Sequence, residues 1–487
     1  MSSTLLAPAI LDELRSVVDP RGLLTARDEL RTYECDGLTN FRVAPGAVAL
    51  PVSTEQVQAL VRICHRARIP FVARGAGTGL SGGALPTAGG LLISLARMNR
   101  ILEVDLPNAR VVVEPGVINQ EVTAKIAHAR YFYAPDPSSQ SVCSIGGNVA
   151  ENSGGAHCLK YGFTTTHVLA LEVVLPDGSL VHIGKKTPDA PGFDLPGIFV
   201  GSEGTLGIAT RITLRIVKRP ECIQTLLAAF HSTNEAGAAV SGIIAAGMLP
   251  AAIELMDNLA IHAAEAAVHA HYPDCGGLLL VELDGPEAEV RALMEQVGQI
   301  CRDHGAWEIR VAQTETERTL VWKGRKAAFA SVGRISPNYL VQDGVIPRTM
   351  LPEVLNEIER MGAESGLRVA NVFHAGDGNL HPLVLYDSRI PGQESAAMAV
   401  SEKILELCIE KGGSITGEHG VGVEKKHMMS KMFAEPDLQT MQRVRCAFDP
   451  LQLSNPAKIF PRPRLCGERA GEYKPHSVEV AGLAERF

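Results

Sequence analysis

Two histidines, His374 and His381, flank a turn in the run Asn371-Val-Phe-His-Ala-Gly-Asp-Gly-Asn-Leu-His381, and a third, His419, directly follows Glu418. Asp377-Gly378 between two apolar runs is a two-residue hairpin signal. Counting outward from it pairs His374 with His381 on one side of the ribbon, with Cβ atoms ~5 Å apart, close enough to share one metal ion. Packed or surface histidines would show the same spacing. The segment Gly412-Gly-Ser-Ile-Thr-Gly-Glu418-His419-Gly420-Val-Gly422 adds a carboxylate. Two imidazoles and one carboxylate leave positions open on a divalent ion, as a Lewis acid needs when substrate oxygens also bind. Zinc, manganese and iron all suit these donors. His419, flanked by glycines, has the chemistry of a general base near neutral pH. A hydrolytic metalloenzyme could use the same set.

A second group of residues points to a different chemistry. Ile69-Pro-Phe-Val-Ala-Arg74-Gly75-Ala-Gly77-Thr78-Gly79-Leu-Ser81-Gly82-Gly83 contains G-x-G-x-x-G. The dinucleotide reading needs a helix after the glycines, whereas Ala84-Leu-Pro-Thr-Ala-Gly-Gly90 cannot open one. Successive backbone N–H groups in such a loop can still cradle a diphosphate as an anion nest. Two more small-residue loops follow, Pro135-Asp136-Pro-Ser-Ser139 leading into Ser144-Ile-Gly-Gly147-Asn148-Val-Ala-Glu-Asn152-Ser-Gly154-Gly155, and Gly201-Ser-Glu203-Gly204-Thr-Leu-Gly-Ile208. Three such loops in one region suit a large, flat cofactor with a diphosphate, which a hydrolase would leave unexplained.

The elements that must hold these groups follow from periodicity. The chain of 487 residues is long enough for two to four domains with a sizeable core. Its 47 glycines exceed the about 34 expected at ~7%. Between about Arg42 and Arg219, short β-branched runs alternate with Gly/Pro turns, broken by helical stretches at 54–68 and 118–128. After Pro220, Ala-rich helical stretches at 235–246, 258–270 and 287–304 alternate with strands such as LLLVELDG, YLVQDGVIP and RVANVFH. The expected fold is α+β, with a sheet-based domain from about Arg42 to Arg219 and a second domain beginning near Glu221. A tail from Pro461 is expected to be loosely held. The net charge of −8 and the lack of a basic run argue against nucleic acid. No apolar stretch reaches the ~20 residues of a membrane span, and the N-terminus looks like a short amphipathic helix rather than a signal peptide. The ten scattered cysteines contain no C-x-x-C, so free thiols in a reducing compartment are expected, with no iron–sulfur cluster.

The three small-residue loops, together with PVSTEQVQALVRICHRARIPFVARG, resemble the FAD-binding domain of the vanillyl-alcohol-oxidase and p-cresol-methylhydroxylase flavoprotein superfamily. The resemblance spans essentially the whole chain and implies an α+β architecture: an N-terminal helical segment (1–41), a two-part FAD-binding domain (42–220), an α+β cap or substrate domain with an antiparallel sheet (221–430), and a C-terminal helical segment (431–487) that returns to the FAD domain. It implies that Arg74, Gly75, Gly77, Thr78, Gly79, Ser81 and Gly82 surround the FAD pyrophosphate. Pro135, Asp136, Ser144, Gly147, Asn148, Asn152, Gly154 and Gly155 would line the ribityl chain and isoalloxazine, and Glu203, Gly204, Ile208 and Asn455 would complete the site. Covalently tethering members often have a histidine in the first loop. None lies between His65 and His128, so FAD is expected to be held non-covalently, with Cys143 a buried thiol rather than a tether.

The histidine motifs resemble the metal-dependent, FAD-linked D-2-hydroxyacid dehydrogenase branch. In that branch, residues matching His374, His381 and Glu418 hold a divalent metal and the one matching His419 is the base. Leu320-Val-Trp-Lys-Gly-Arg325-Lys326 and Arg334-Ile-Ser-Pro-Asn-Tyr-Leu-Val-Gln-Asp343-Gly-Val-Ile-Pro-Arg348 look most like the FAD subunits of bacterial glycolate oxidases. Arg325 falls where relatives place the arginine that grips a substrate carboxylate, a task its planar guanidinium fits; a solvated charge is the other reading. Trp322 reads as core. The resemblance implies oxidation of a small 2-hydroxy acid such as glycolate or D-lactate. It also implies partner subunits, a second flavin-domain-like chain and an iron–sulfur chain, at the cytoplasmic membrane face. A non-catalytic scaffold that retains the fold is the alternative of another class.

Overall fold

The computed structural model describes residues 6–187, 191–461 and 466. The tail beyond Pro461, apart from Cys466, and the first five residues lie outside them. Near the N-terminus an amphipathic helix, Pro8–Val17, packs against Thr54–Ala67. Thr54–Ala67 buries Val57, Leu60, Val61 and Cys64 at helical spacing and is capped by Ser53, whose side chain accepts from the Gln56 N–H. Beside it lies a four-stranded sheet ordered Leu23–Leu24, Ala47–Ala49, Leu91–Ser94, Phe71–Arg74, with its last three strands parallel. No helix interrupts the chain between Phe71–Arg74 and Leu91–Ser94, as the glycine and proline content of that stretch predicts. A five-stranded antiparallel sheet follows, ordered Ile101–Asp105, Arg110–Val113, Ile208–Arg215, Val168–Val174, Leu180–Gly184.

The second half is built on an eight-stranded antiparallel sheet. Along its main path run Glu308–Val311, Cys222–Phe230, Gly277–Gly285, Ala252–Asp257, Val369–His374, Asn379–Tyr386 and Asn338–Val341, and Gly344–Val345 also pairs with Asn379–Tyr386. Helices cover both faces, so its strands are apolar on both sides with a period of two. Leu226, Ala228, Phe230, Leu279, Val281 and Phe373 pack under the helices Thr233–Ala245, Glu287–Asp303, Leu351–Ser365 and Gln393–Glu410. Leu227, Ala229, Leu278, Leu280, Met256 and Val372 pack under Asn258–Val268 and Glu315–Val332. The same alternation sends Glu254, Glu282, His374 and His381 to the second face, so that face turns from apolar to ionisable along its length. The C-terminal segment runs back to the first sheet, where Phe71 pairs with Ser454.

Two expectations are corrected. The Asp377-Gly378 hairpin has a four-residue loop: His374 lies opposite Asn379, and His381 opposite Val372. Asp377 does not adopt the positive φ that a type I′ turn requires. The loop is instead fixed by neighbours, with the Gly376 N–H donating to Ile253 O and the Ile346 N–H to Gly378 O. The shift is two residues, an even number, so both histidines stay on one face as a diagonal pair. The second correction concerns the thiols: Cys446 and Cys466 form a disulfide, and eight cysteines are free. The 20-residue separation hid this pair, whose Cα atoms stand 5.6 Å apart at the end of the helix Glu435–Phe448.

Candidate active site

A cavity of about 670 Å³ runs from the glycine-rich loops of the first half to the histidines of the second. The strand Phe71–Arg74 delivers the first loop to its wall. An added Cβ on Gly75 would lie 2.1 Å from Ser144 Oγ, so only glycine lets this loop meet the Ser144 turn, where the Ala76 N–H donates to Ser144 Oγ. Arg74 is held beside the loop by the carbonyls of Cys35 (2.6 Å) and Tyr33 (3.3 Å). Of the expected cofactor residues, Arg74, Gly75, Gly77, Thr78, Gly79, Ser144, Gly147, Asn148, Glu203, Gly204 and Ile208 line the cavity.

Ser81, Gly82, Pro135, Asp136, Asn152, Gly154, Gly155 and Asn455 stand behind the wall, where most hold the loops together. Asn455 Nδ2 donates to the carbonyls of Gly83 and Glu203. Pro135 O accepts from Asn119 Nδ2, which also donates to Asn148 Oδ1. Asn152 Oδ1 accepts from the Thr165 N–H, and Ser81 O from the Val423 N–H. Asp136 accepts from the backbone and Nδ1 of His157. A Cβ on Gly154 would lie 2.9 Å from Glu418 Oε2, so this glycine gives the Glu418 carboxylate its room. The Glu203 carboxylate accepts from the Val421 and Gly422 N–H groups at 2.7 Å each, tying the third loop to the segment after His419. Cys143 is buried as expected and lines the cavity.

At the far end, His374, His381 and Glu418 are all buried, with one potential ligand atom each within 4.8 Å of the others. Cross-strand pairing puts Glu254 opposite His374, and His374 Nδ1 donates to Glu254 Oε1 at 2.8 Å. That bond leaves Nε2 facing Glu418 Oε1 at 3.3 Å, the way a carboxylate orients a metal-ligating imidazole. Glu254 is in turn ion-paired with Arg325 at 2.5 Å. Burial acts to raise the Glu254 pKa, but Arg325 and His374 outweigh it and hold the carboxyl below its ordinary value. Burial alone would lower the His374 pKa, yet Glu254 and Glu418 raise it well above the usual range. Glu418 Oε2 and His381 Nδ1 are buried without a hydrogen-bond partner, which is costly unless a ligand satisfies them. The His381 and His419 rings stack in parallel, 5.0 Å between centroids. Burial pushes the His419 pKa down to about 4, against the pull of Asp343, so its imidazole is neutral and able to accept a proton at neutral pH. Arg325 is almost fully buried, and its Nε and Nη2 make no hydrogen bond of good geometry. Trp322 is core as expected, its indole N–H donating to Glu282.

Sequence reasoning missed Asp343. Its Oδ2 accepts from Thr416 Oγ1 (2.5 Å) and from the N–H groups of Gly417 (3.0 Å), Glu418 (3.2 Å) and His419 (2.8 Å), while Oδ1 lies 3.3 Å from His381 Nε2. Despite burial, His419 and Lys425 hold its carboxyl well below the ordinary range. Asp343, His381 and His419 also lie within metal-sharing reach, but these donors already occupy Oδ2. The nearest sequence signal was the acid in Val-Gln-Asp-Gly. Lys326, Phe329, Tyr339, Tyr386 and Asn40 also line this end and were not singled out.

Residues 45–184 match the FAD binding domain family, and residues 219–459 match the family described as FAD linked oxidases, C-terminal domain. Along its length the chain is 49% identical over 480 residues to the glycolate oxidase subunit GlcD of Escherichia coli K12, covering 98% of this chain and 96% of that protein. It is 30% identical over 463 residues to the D-lactate dehydrogenase of Anaerostipes hadrus, covering 93% and 97%. The fold superposes on p-cresol methylhydroxylase with substrate bound at a TM-score of 0.78 and 17% identity, covering 93% of this chain and 96% of that one. A cavity walled by both matched regions, in a sequence so close to these proteins from end to end, places the chain in the FAD-linked oxidases, as an FAD-dependent oxidoreductase.

Proposed function

We propose that this enzyme oxidises a small D-2-hydroxy acid, glycolate foremost, to the 2-oxo acid. The observation that carries the reading is the convergence of His374, His381 and Glu418 with His419 at one end of a cavity whose other end is the FAD cradle, with Arg325 buried behind them against Glu254. FAD, when bound, supplies the hydride acceptor. A divalent ion, zinc, manganese or iron, would be held by His374, His381 and Glu418 and would supply Lewis acidity toward the substrate hydroxyl. Glu254, bonded to Nδ1, orients the His374 ring so that Nε2 faces Glu418. Neutral His419 takes the hydroxyl proton. The family resemblance gives the substrate carboxylate to Arg325, whose Nη2 is ion-paired with Glu254 and whose buried Nε lacks an acceptor.

No histidine stands near the first glycine loop, so FAD is held without a covalent tether. Electrons leave to quinone or to partner subunits, a second flavin-domain-like chain and an iron–sulfur chain, in keeping with a relative named as an oxidase subunit. Among the described residues no helix is long and apolar enough to cross a membrane, so any seat at the cytoplasmic membrane face comes through those partners. D-lactate is the second substrate to weigh, because a relative of nearly full coverage is a D-lactate dehydrogenase. His419→Ala is expected to lower turnover by about 10²- to 10⁴-fold while FAD stays bound, measured as kcat beside the flavin-to-protein ratio. Wild-type turnover in that variant would remove His419 as the base.

A further inference from the structure

We propose that Lys326 captures the substrate anion at the cavity wall, its ammonium shared between Asp136 and the substrate carboxylate. The inference rests on the reading of the site as one for a small 2-hydroxy acid. Among the described residues that line the cavity, and setting the histidines aside, only Arg74 and Lys326 bear cationic side chains, while Glu151, Glu203 and Glu418 are acidic. Arg74 is engaged with two carbonyls at the glycine-loop end. Of the Lys and Arg side chains on the wall, Lys326 is therefore the one left to meet an incoming anion.

The position of Lys326 follows from the helix Glu315–Val332. Lys326, Phe329 and Ala330 stand at i, i+3 and i+4 and all line the cavity. The Phe329 ring lies 5.6 Å from the His381 ring, which stacks on His419. Lys326 is thus one helical turn from the histidines. Its neighbour Arg325 points away, buried against Glu254. The Lys326 side chain is 37% exposed and its Nζ is 3.7 Å from Asp136 Oδ2, beyond hydrogen-bond distance. Asp136 does not depend on it, because the His157 backbone and Nδ1 already donate to that carboxylate at 3.2 and 2.9 Å. Lys326 is a surplus, loosely held charge facing open space, free to exchange a weak contact for a stronger one with a carboxylate. Lys326 brings the anion in and limits how it can turn.

The test uses FAD-loaded wild type, K326M and K326R, with glycolate and D-lactate as substrates across a range of ionic strength. A parallel titration follows the flavin spectrum with oxalate, which cannot be oxidised in this way. K326M is expected to raise KM and the oxalate Kd about tenfold, the scale of one weakly screened charge contact. In K326M kcat should fall less than KM rises, and kcat/KM should lose part of its decline with salt; K326R should restore both. Wild-type KM, oxalate affinity and salt dependence in K326M would overturn the assignment, as would a loss confined to kcat. A wild-type flavin that no 2-hydroxy acid reduces overturns the functional reading, and this proposal with it. A wild-type flavin that is reduced beside an indistinguishable K326M overturns the proposal alone.

Discussion

Asp343 gathers the Glu418–His419 loop by itself: three backbone N–H groups and one hydroxyl converge on a single carboxylate oxygen. Asp343→Asn exchanges an acceptor for a donor at one of the two oxygens and removes the charge that faces Lys425, 3.5 Å away. Metal affinity is expected to fall about 10- to 100-fold, the usual cost of losing an outer partner of a metal site, as read by titrating metal into the demetallated FAD-loaded protein. Unchanged affinity would make Asp343 a loop-packing residue only. The site was legible in part. The spacing of His374, His381 and Glu418 marked this cluster in the sequence because two imidazoles and a carboxylate so placed are a restricted combination. Asp343 gave no such signal, since a carboxylate that serves backbone groups looks in sequence like any other acid in a turn. Lys326 was hidden by its neighbour Arg325, because only the helix phase separates the one that faces the cavity from the one that faces Glu254.

Elements came through well where period and punctuation agreed. The stretch from Thr54 carries helical spacing, a Ser53 cap and a left-handed residue at Arg68, and the helix ends at Ala67. The hairpin failed by two residues because tertiary hydrogen bonds to Ile253 and Ile346 override the local Asp-Gly preference, yet the alternation of the strands kept the histidines together. The short helix Thr164–His167 carries a testable burial. His167 is fully buried, its Nε2–H donating to Tyr161 O at 2.9 Å, and burial, despite that bond, lowers its pKa from 6.5 to about 4. The unfolded chain binds this proton more readily, so stability present above pH ~6.5 is lost as pH falls toward ~4, by roughly 3 kcal/mol. His167→Gln, which can keep the donor, should show a smaller acid-induced drop in denaturation midpoint than wild type. Equal drops in both would mean that His167 does not carry the effect.

At the scale of the whole molecule, the two matched regions are clasped by charge. His157, from the cofactor half, reaches Asp136 with Nδ1 (2.9 Å) and Glu282 of the eight-stranded sheet with Nε2 (3.1 Å). Burial opposes the charge on its ring, but the two carboxylates raise its pKa well above the ordinary range, so both nitrogens donate. Thr225, Trp322 and Arg318 also donate to Glu282, and Lys160 pairs with Asp284 one turn beyond. His157→Ala takes the cationic donor away from two buried carboxylates at once and should cost about 3 kcal/mol, read as a lower denaturant midpoint; a midpoint within error of wild type would leave the clasp without energetic weight. The pairs that cross between the halves, His157 with Glu282 and Lys160 with Asp284, were not legible in sequence, because they lie more than a hundred residues apart and meet only when the halves dock. The glycine excess was legible, since its clusters fall at the loops that line the cavity and at the Glu418–His419 loop.

In the proposed reaction this cavity passes hydride from a 2-hydroxy acid to flavin. Anaerobic mixing of the FAD-loaded protein with glycolate, D-lactate and larger D-2-hydroxy acids, while following flavin absorbance, tests it directly. Bleaching of the oxidised flavin band with formation of the matching 2-oxo acid, fastest with a small acid, is the expected result; a flavin that stays oxidised with every acid, in protein loaded with FAD and metal, would contradict the account.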